Sequence, residues 1–329
     1  MNQRVVWWNN QFIPESEARI SIYDSACMFG DLCFDMLRSF NKKIFKLEEH
    51  LDRFLVGLKI LEIKIPYSKK QLESAVIEAM KENEKNLSND DEHRILIESS
   101  RGLLGLYQGF ADVPIGSNTI IADFPLRVTT KGMGKLFDTG INACISSNRT
   151  IPFSLLDQRI KNRNRIHFVR ANLEVSRYKG SNNWSLLLDP DGYIAEFTGD
   201  NFFIVDKRDT VITPEGRNIL RGISRQYVFE LCDDLGIEWI EKNITPYDVY
   251  EAKEAFATAT PFCILPVSSL NFISVGTGNP EDFEVTNTLL NKWSFEVEVD
   301  IKKQIQKWDE ENDSKIVGLT PYSFNEGEK

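Results

Sequence analysis

A carboxylate, a side-chain amide and a glycine-led helix start stand close together in the run Glu196–Arg225, EFTGDNFFIVDKRDTVITPEGRNILRGISR. Trp184–Asp189 and Tyr193–Phe197 read as short apolar strands separated by the turn signal Pro190-Asp191-Gly192. Glu196 lies near the end of the second strand, among apolar neighbours, where an ionised carboxylate needs a partner. Further on, Gly222-Ile223-Ser224-Arg225 precedes the apolar-periodic positions Tyr227, Val228, Leu231 and Leu235. Ser224 is expected to be the N-cap of that helix, so that its amide and its neighbours' point outward at a positive helix terminus. Such a terminus binds phosphate. A buried carboxylate and a phosphate cradle together suit a ligand with a cationic ring nitrogen and a phosphate.

The same run resembles the class IV pyridoxal-phosphate aminotransferases, a family that includes branched-chain and D-amino-acid aminotransferases, (R)-amine transaminases and aminodeoxychorismate lyase. The family pattern is met by Glu196, Thr198, Asn201, Phe202, Phe203, Val211, Thr213, Leu220, Gly222, Ile223 and Arg225. The resemblance extends from about Tyr23 to Leu270 and is weakest beyond it. It implies a two-domain α+β fold, like that of D-amino-acid aminotransferase, with pyridoxal 5′-phosphate in the interdomain cleft. It also implies a homodimer in which the partner's Leu103–Gly109 loop completes each site.

The family's Schiff-base lysine falls on Lys161, in the context Lys-x-x-Asn-Arg. A lysine that attacks a carbonyl must be neutral, so desolvation or nearby positive charge must lower its pKa. Arg159, Arg163 and Arg165 are at hand in the sequence to supply that charge. By the same resemblance Glu196 holds a proton on the pyridine nitrogen, and Arg53, Ile223, Ser224 and Thr260 contact the phosphate. The family's glycine before that threonine is Ala259 here. His50, His93 and His167 have no metal-binding spacing and read as structural, and no metal is expected.

Substrate-side residues are fewer. Gly30–Arg38 resembles the family's pocket strand, with Phe34, Met36 and Arg38 alternating to one face. Met36 stands where aminodeoxychorismate lyase has a threonine, which argues against the lyase reading. The carboxylate-reading residues of the (R)-amine and D-amino-acid enzymes would fall at Tyr107 and at Leu106 and Gln108. Their absence leaves Arg38 or Arg101 as the carboxylate reader, with a scaffold role for Arg101 equally open. The expected activity is transfer of an amino group from an apolar, branched-chain-like L-amino acid, or from an amine, to a 2-oxo acid. The alternatives are an (R)-selective amine or D-amino-acid transaminase, and a lyase.

The rest of the chain must position these groups. Its 329 residues suit two domains, here 1–126, a linker at 127–136, and a larger unit at 137–329 expected to carry the lysine and most of the cofactor site. A hydrophobic content of 42% with 27% charged residues is that of a globular protein with real cores. A net charge of −10, with no basic stripe, argues against nucleic acid as a partner. No apolar run reaches membrane-spanning length, MNQRVVWWNN lacks a signal core, and Cys27, Cys33, Cys144, Cys232 and Cys263 form no disulfide framework. A reduced, cytoplasmic setting is expected. VVWWNN, RISIYD, CFDMLRSF, RILIES and TIIADFPL read as strands. Helices are expected over Leu51–Leu61, over Lys69–Glu84, and after Lys161 with Ile166, Val169 and Leu173 on the apolar face. Leu103–Ser117 reads as an exposed loop, and Gly132-x-Gly134 lacks the third glycine of a dinucleotide fingerprint.

Overall fold

A computed structural model describes residues 3–109, 112 and 114–311. The chain forms two compact units, Met1–Leu126 with Ile160–Arg165, and Arg127–Arg159 with Ile166–Lys329. Among the described residues no helix is long and apolar enough to cross a membrane.

In the first unit the strands β1 (Val5–Trp8), β2 (Gln11–Pro14), β3 (Leu32–Phe40), β4 (Lys43–Ile44), β5 (His93–Ser100) and β6 (Asn118–Pro125) form a sheet ordered β2-β1-β6-β5-β3-β4. The helices are α1 (Ser25–Phe29), α2 (Leu47–Ile60) and α3 (Lys69–Asn83). Successive side chains of β3 face opposite ways. Cys33 and Leu37 enter a core with Leu51, Phe54 and Leu58 of α2 and Leu72, Val76 and Ala79 of α3. Each fully buried leucine or phenylalanine here contributes about 1.5–3 kcal/mol. Gly57 lets α2 press against β3, because a Cβ there would lie 2.5 Å from Cys33 Sγ. Ser68 and Gln71 form a capping box that starts α3. Arg19–Asp24, expected as a strand, forms no strand and leads instead into α1, whose N-cap Asp24 accepts the Ala26 amide.

The second unit contains β7 (Ile141–Arg149), β8 (Asn183–Leu188), β9 (Ile194–Phe197), β10 (Asn201–Val205), β11 (Val211–Thr213), β12 (Trp239–Glu241), β13 (Glu254–Ala259), β14 (Cys263–Leu270) and β15 (Ile273–Ser274). The sheet runs β12-β11-β10-β13-β14-β7-β8-β9, and β9 pairs again with β10 through Glu196 opposite Asn201. Its helices are α4 (Arg127–Thr130), α5 (Leu136–Thr139), α6 (Ile166–Val175), α7 (Ile223–Leu235), α8 (Pro246–Glu251), α9 (Glu284–Glu296) and α10 (Ile301–Glu311).

Three expectations change. The stretch 127–136, expected as the linker, groups with the second unit and opens with α4, and the amides of Gly132 and Gly134 donate to the Asp309 carboxylate of α10 at 2.8 and 2.6 Å. Residues 160–165 leave the larger unit and pack with the first, where Asn162 bridges Cys33 of β3, so Lys161 sits with the smaller unit. On α6, Ile166 and Leu173 are exposed, and the buried face is Phe168, Ala171, Asn172 and Val175. Of the Leu103–Ser117 stretch, Gly105–Tyr107 forms a short 3-10 turn, while residues 110, 111 and 113 lie outside the described residues.

Candidate active site

Lys161 is held from its backbone outward. Its carbonyl accepts the Phe34 amide at 2.9 Å, and its ammonium lies 5.1 Å from the Phe34 ring centroid. Burial and then the neighbouring guanidinium groups of Arg165, Arg53 and Arg94 push its pKa well below the ordinary lysine value, with Asp35 opposing them. Of the three arginines expected to act on Lys161, Arg165 is the one among the leading causes. Arg159 is paired with Asp157 and Arg163 with Glu98, while Arg53 and Arg94 arrive from α2 and β5.

Beneath this lysine the fold builds a buried charge cluster. Asp35 lies on the core face of β3 and is fully buried. His50 and Arg53, three residues apart on α2, share one helix face. Arg53 grips Asp35 through two bonds, Nε to Oδ2 at 2.8 Å and Nη2 to Oδ1 at 2.7 Å, and His50 Nδ1 lies 2.9 Å from Oδ1. Burial alone would raise the Asp35 pKa, but Arg53 and His50 overcome it and hold the carboxyl well below its usual range. Burial lowers the His50 pKa below the ordinary histidine value, with Asp35 opposing it.

In the second unit Glu196 is buried near the end of β9. Its carboxylate accepts the Leu220 amide at 3.1 and 3.2 Å and Asn201 Nδ2 at 3.2 Å, while Asn201 also donates to the Leu220 carbonyl at 2.9 Å. Gly222 makes this clamp possible, since a Cβ there would lie 2.2 Å from Asn201 Oδ1. Gly222 is also the N-cap of α7, with extended φ −64° and ψ 141°. The helix cap therefore lies two residues earlier than expected, at Gly222 rather than Ser224. Ile223 and Ser224 become its first two residues, whose amides have no intrahelical acceptor. Thr260 lies in the turn between β13 and β14. Ala259 ends β13 opposite Cys263, and it is Cys263, not Ala259, that takes up positive φ (65°) in this hairpin.

A carboxylate clamp, a helix N-terminus and a lysine of depressed pKa are the groups a cationic, phosphorylated aldehyde cofactor requires. Residues 32–270 match the family model described as amino-transferase class IV. The chain belongs to the class IV aminotransferases. A putative branched-chain-amino-acid aminotransferase of Methanocaldococcus jannaschii is 32% identical over 288 residues, covering 88% of this chain and 94% of that one. The branched-chain-amino-acid aminotransferase of Pseudomonas aeruginosa is 27% identical over 280 residues, covering 83% of this chain and 87% of that one. Among solved structures, the branched-chain amino acid aminotransferase of Thermobaculum terrenum in its PLP form matches the fold with a TM-score of 0.75 at 24% identity, over 93% of this chain and 97% of that one.

In this aminotransferase the substrate-side residues separate. Phe34 is buried beneath the side chains of Lys161, Arg163 and Arg165, and the two guanidinium carbons stand 3.9 and 5.0 Å from its ring centroid. Met36 is half-buried. Arg38 is buried, stacks 3.7 Å over Phe40 and stands opposite Arg94 in the β3–β5 register. Tyr107 stacks on Tyr23 at 5.3 Å. Arg101, the other candidate carboxylate reader, is hydrogen-bonded to its own unit. It donates to both oxygens of Asp31 and to the carbonyls of Leu61 and Glu62, tying the end of α2 to the loop before β3. Arg225, the basic end of the family motif, is buried and holds Glu241 and the Pro214 carbonyl. The reading of the sequence did not single out Asp35, and it took His50 as structural. Strand alternation was the available signal for Asp35, since it places the carboxylate on the core face with Cys33 and Leu37, where it must find a cation.

Proposed function

We propose that this aminotransferase uses pyridoxal 5′-phosphate to move an amino group from an apolar, branched-chain-like L-amino acid to a 2-oxo acid. The observation that carries the reading is Lys161, set among Phe34, Arg53 and Arg165 with its pKa pushed well below the ordinary lysine value, the direction a nucleophilic amine requires. The remaining groups fit the same cofactor. The Glu196 carboxylate, fixed by Asn201 and Leu220, would hold a proton on the ring nitrogen. The Ile223 and Ser224 amides, the Ser224 hydroxyl, Thr260 and Arg53 would hold the phosphate. When bound, the cofactor supplies an electron sink that acidifies the Cα–H of the attached substrate. Lys161 Nζ then removes that proton as general base.

The relatives named as branched-chain-amino-acid aminotransferases support a branched-chain donor. With Arg101 tied to Asp31, Arg38 becomes the carboxylate reader, and Phe34 and Met36 line the side-chain pocket. We read the enzyme as a cytoplasmic homodimer in which the loop holding Leu106, 79% exposed, and Tyr107 serves the partner's site. A panel of L-amino acids, D-amino acids and (R)- and (S)-amines against pyruvate and 2-oxoglutarate tests the proposal. Preference for an apolar L-amino acid supports it, and preference for (R)-amines or D-amino acids replaces it with the corresponding alternative. Product formation without any 2-oxo acid would turn the reading to a lyase.

A further inference from the structure

We infer that Asp35, backed by His50, is a positioning residue that presets Arg53 as an anion clamp for the cofactor phosphate. The inference rests on the phosphate role of Arg53 proposed above. Asp35 is fully buried and takes both bonds of a planar guanidinium fork, an arrangement that fixes the fork's plane as well as its location. Its Oδ1 is shared with His50, so the carboxylate cannot rotate without breaking a second buried bond. Arg53 is the outer member of the set: its side chain keeps 13% of its surface exposed, while Asp35 keeps none and His50 1%. The carboxylate thus holds the inner edge of the fork. Because the ordering of a long side chain is completed in the folded protein, an arriving anion does not bear that cost. The geometry follows from three positions on two elements. Asp35 is at a core-facing position of β3, and His50 and Arg53 occupy one face of α2, which the missing side chain of Gly57 brings close to the strand.

The test compares pyridoxal 5′-phosphate with pyridoxal, which has no phosphate, by equilibrium dissociation from the wild-type enzyme, Asp35→Asn, Asp35→Glu, His50→Gln and Arg53→Met. Asp35→Asn should weaken pyridoxal phosphate by about tenfold and leave pyridoxal unchanged. His50→Gln should show the same phosphate-specific loss at about threefold, and Asp35→Glu should recover part of it. A general structural role would weaken both ligands alike. If Arg53→Met is phosphate-specific and Asp35→Asn is not, the positioning inference is overturned while the Arg53 reading stands. If Arg53→Met itself shows no phosphate-specific loss, the Arg53 reading fails and takes the inference with it. If Asp35→Asn does not fold, His50→Gln decides: a phosphate-specific loss supports the inference, and none overturns it.

Discussion

The carbonyl of Lys161 accepts the amide of Phe34 at 2.9 Å, so the lysine is pinned to the pocket strand β3 from a point far along the chain. The adjacent bridge between Cys33 and Asn162 makes this a short stretch of strand-like pairing. That pairing delivers Lys161 to the Asp35–Arg53 cluster, where burial first and then the guanidinium groups of Arg165, Arg53 and Arg94 lower its pKa.

Lys161→Ala should abolish transamination while leaving the fold intact, because the backbone bond to Phe34 does not depend on the side chain. Borohydride treatment followed by peptide mapping should find the reduced cofactor adduct on Lys161 in the wild type and on no residue in the variant. An adduct on another lysine would sink the assignment.

The burial of Lys161 has a consequence for pH. Its folded-state pKa is below its unfolded value, so between the two the unfolded chain binds more protons and stability rises with pH. The penalty is complete below the folded value and gone above about 10.4. In cofactor-free enzyme, Lys161→Met should therefore be more stable than wild type near neutral pH, and the difference should shrink as pH rises toward about 10. Urea unfolding at several pH values checks this. A difference independent of pH would show that the folded lysine holds its proton as readily as the unfolded one.

Glu196→Gln should retain cofactor but slow Cα proton removal, because an amide cannot hold the ring nitrogen protonated. A loss of about two to four orders of magnitude in kcat is expected, comparable to removing a principal electrostatic stabiliser. Single-turnover absorbance with a substrate deuterated at Cα isolates the step. Turnover near wild type would mean that Glu196 only anchors Leu220 and Asn201.

Arg101→Ala should cut activity toward an apolar L-amino acid and toward 1-phenylethylamine to the same degree and lower Tm, because it unties Asp31 from the end of α2. Arg38→Met should instead raise KM for amino and 2-oxo acids far more than for the amine. The two ratios of kcat/KM, amino acid over amine, separate a carboxylate reader from a scaffold residue. An Arg38→Met variant with an unchanged ratio would return the carboxylate contact to main-chain amides near Thr260.

Much of the chemistry is local in sequence and was legible there. Glu196, Asn201 and Gly222 fall within one strand–turn–helix run, so residue type and spacing already implied a partnered carboxylate and an anion-binding helix start. The helix start itself moved from Ser224 to Gly222. The capping position is a glycine because Asn201 Oδ1 occupies the space a Cβ at position 222 would need. The α6 face was misread for a related reason. Ile166 and Leu173 have helical spacing, but periodicity marks an apolar stripe and cannot say which stripe the packed unit buries.

The sequence by itself carried the family pattern, the expectation that Lys161 is the Schiff-base lysine, and the alternation that turns Asp35 away from Phe34, Met36 and Arg38. Tertiary structure alone decided which cations stand near Lys161, that Arg53 is shared with Asp35 and His50, and that Arg101 is tied to Asp31. Charges interact through space, with a strength set by distance and burial. Arg94 therefore acts on Lys161 from β5, while Arg159 and Arg163, close in sequence, pair with Asp157 and Glu98.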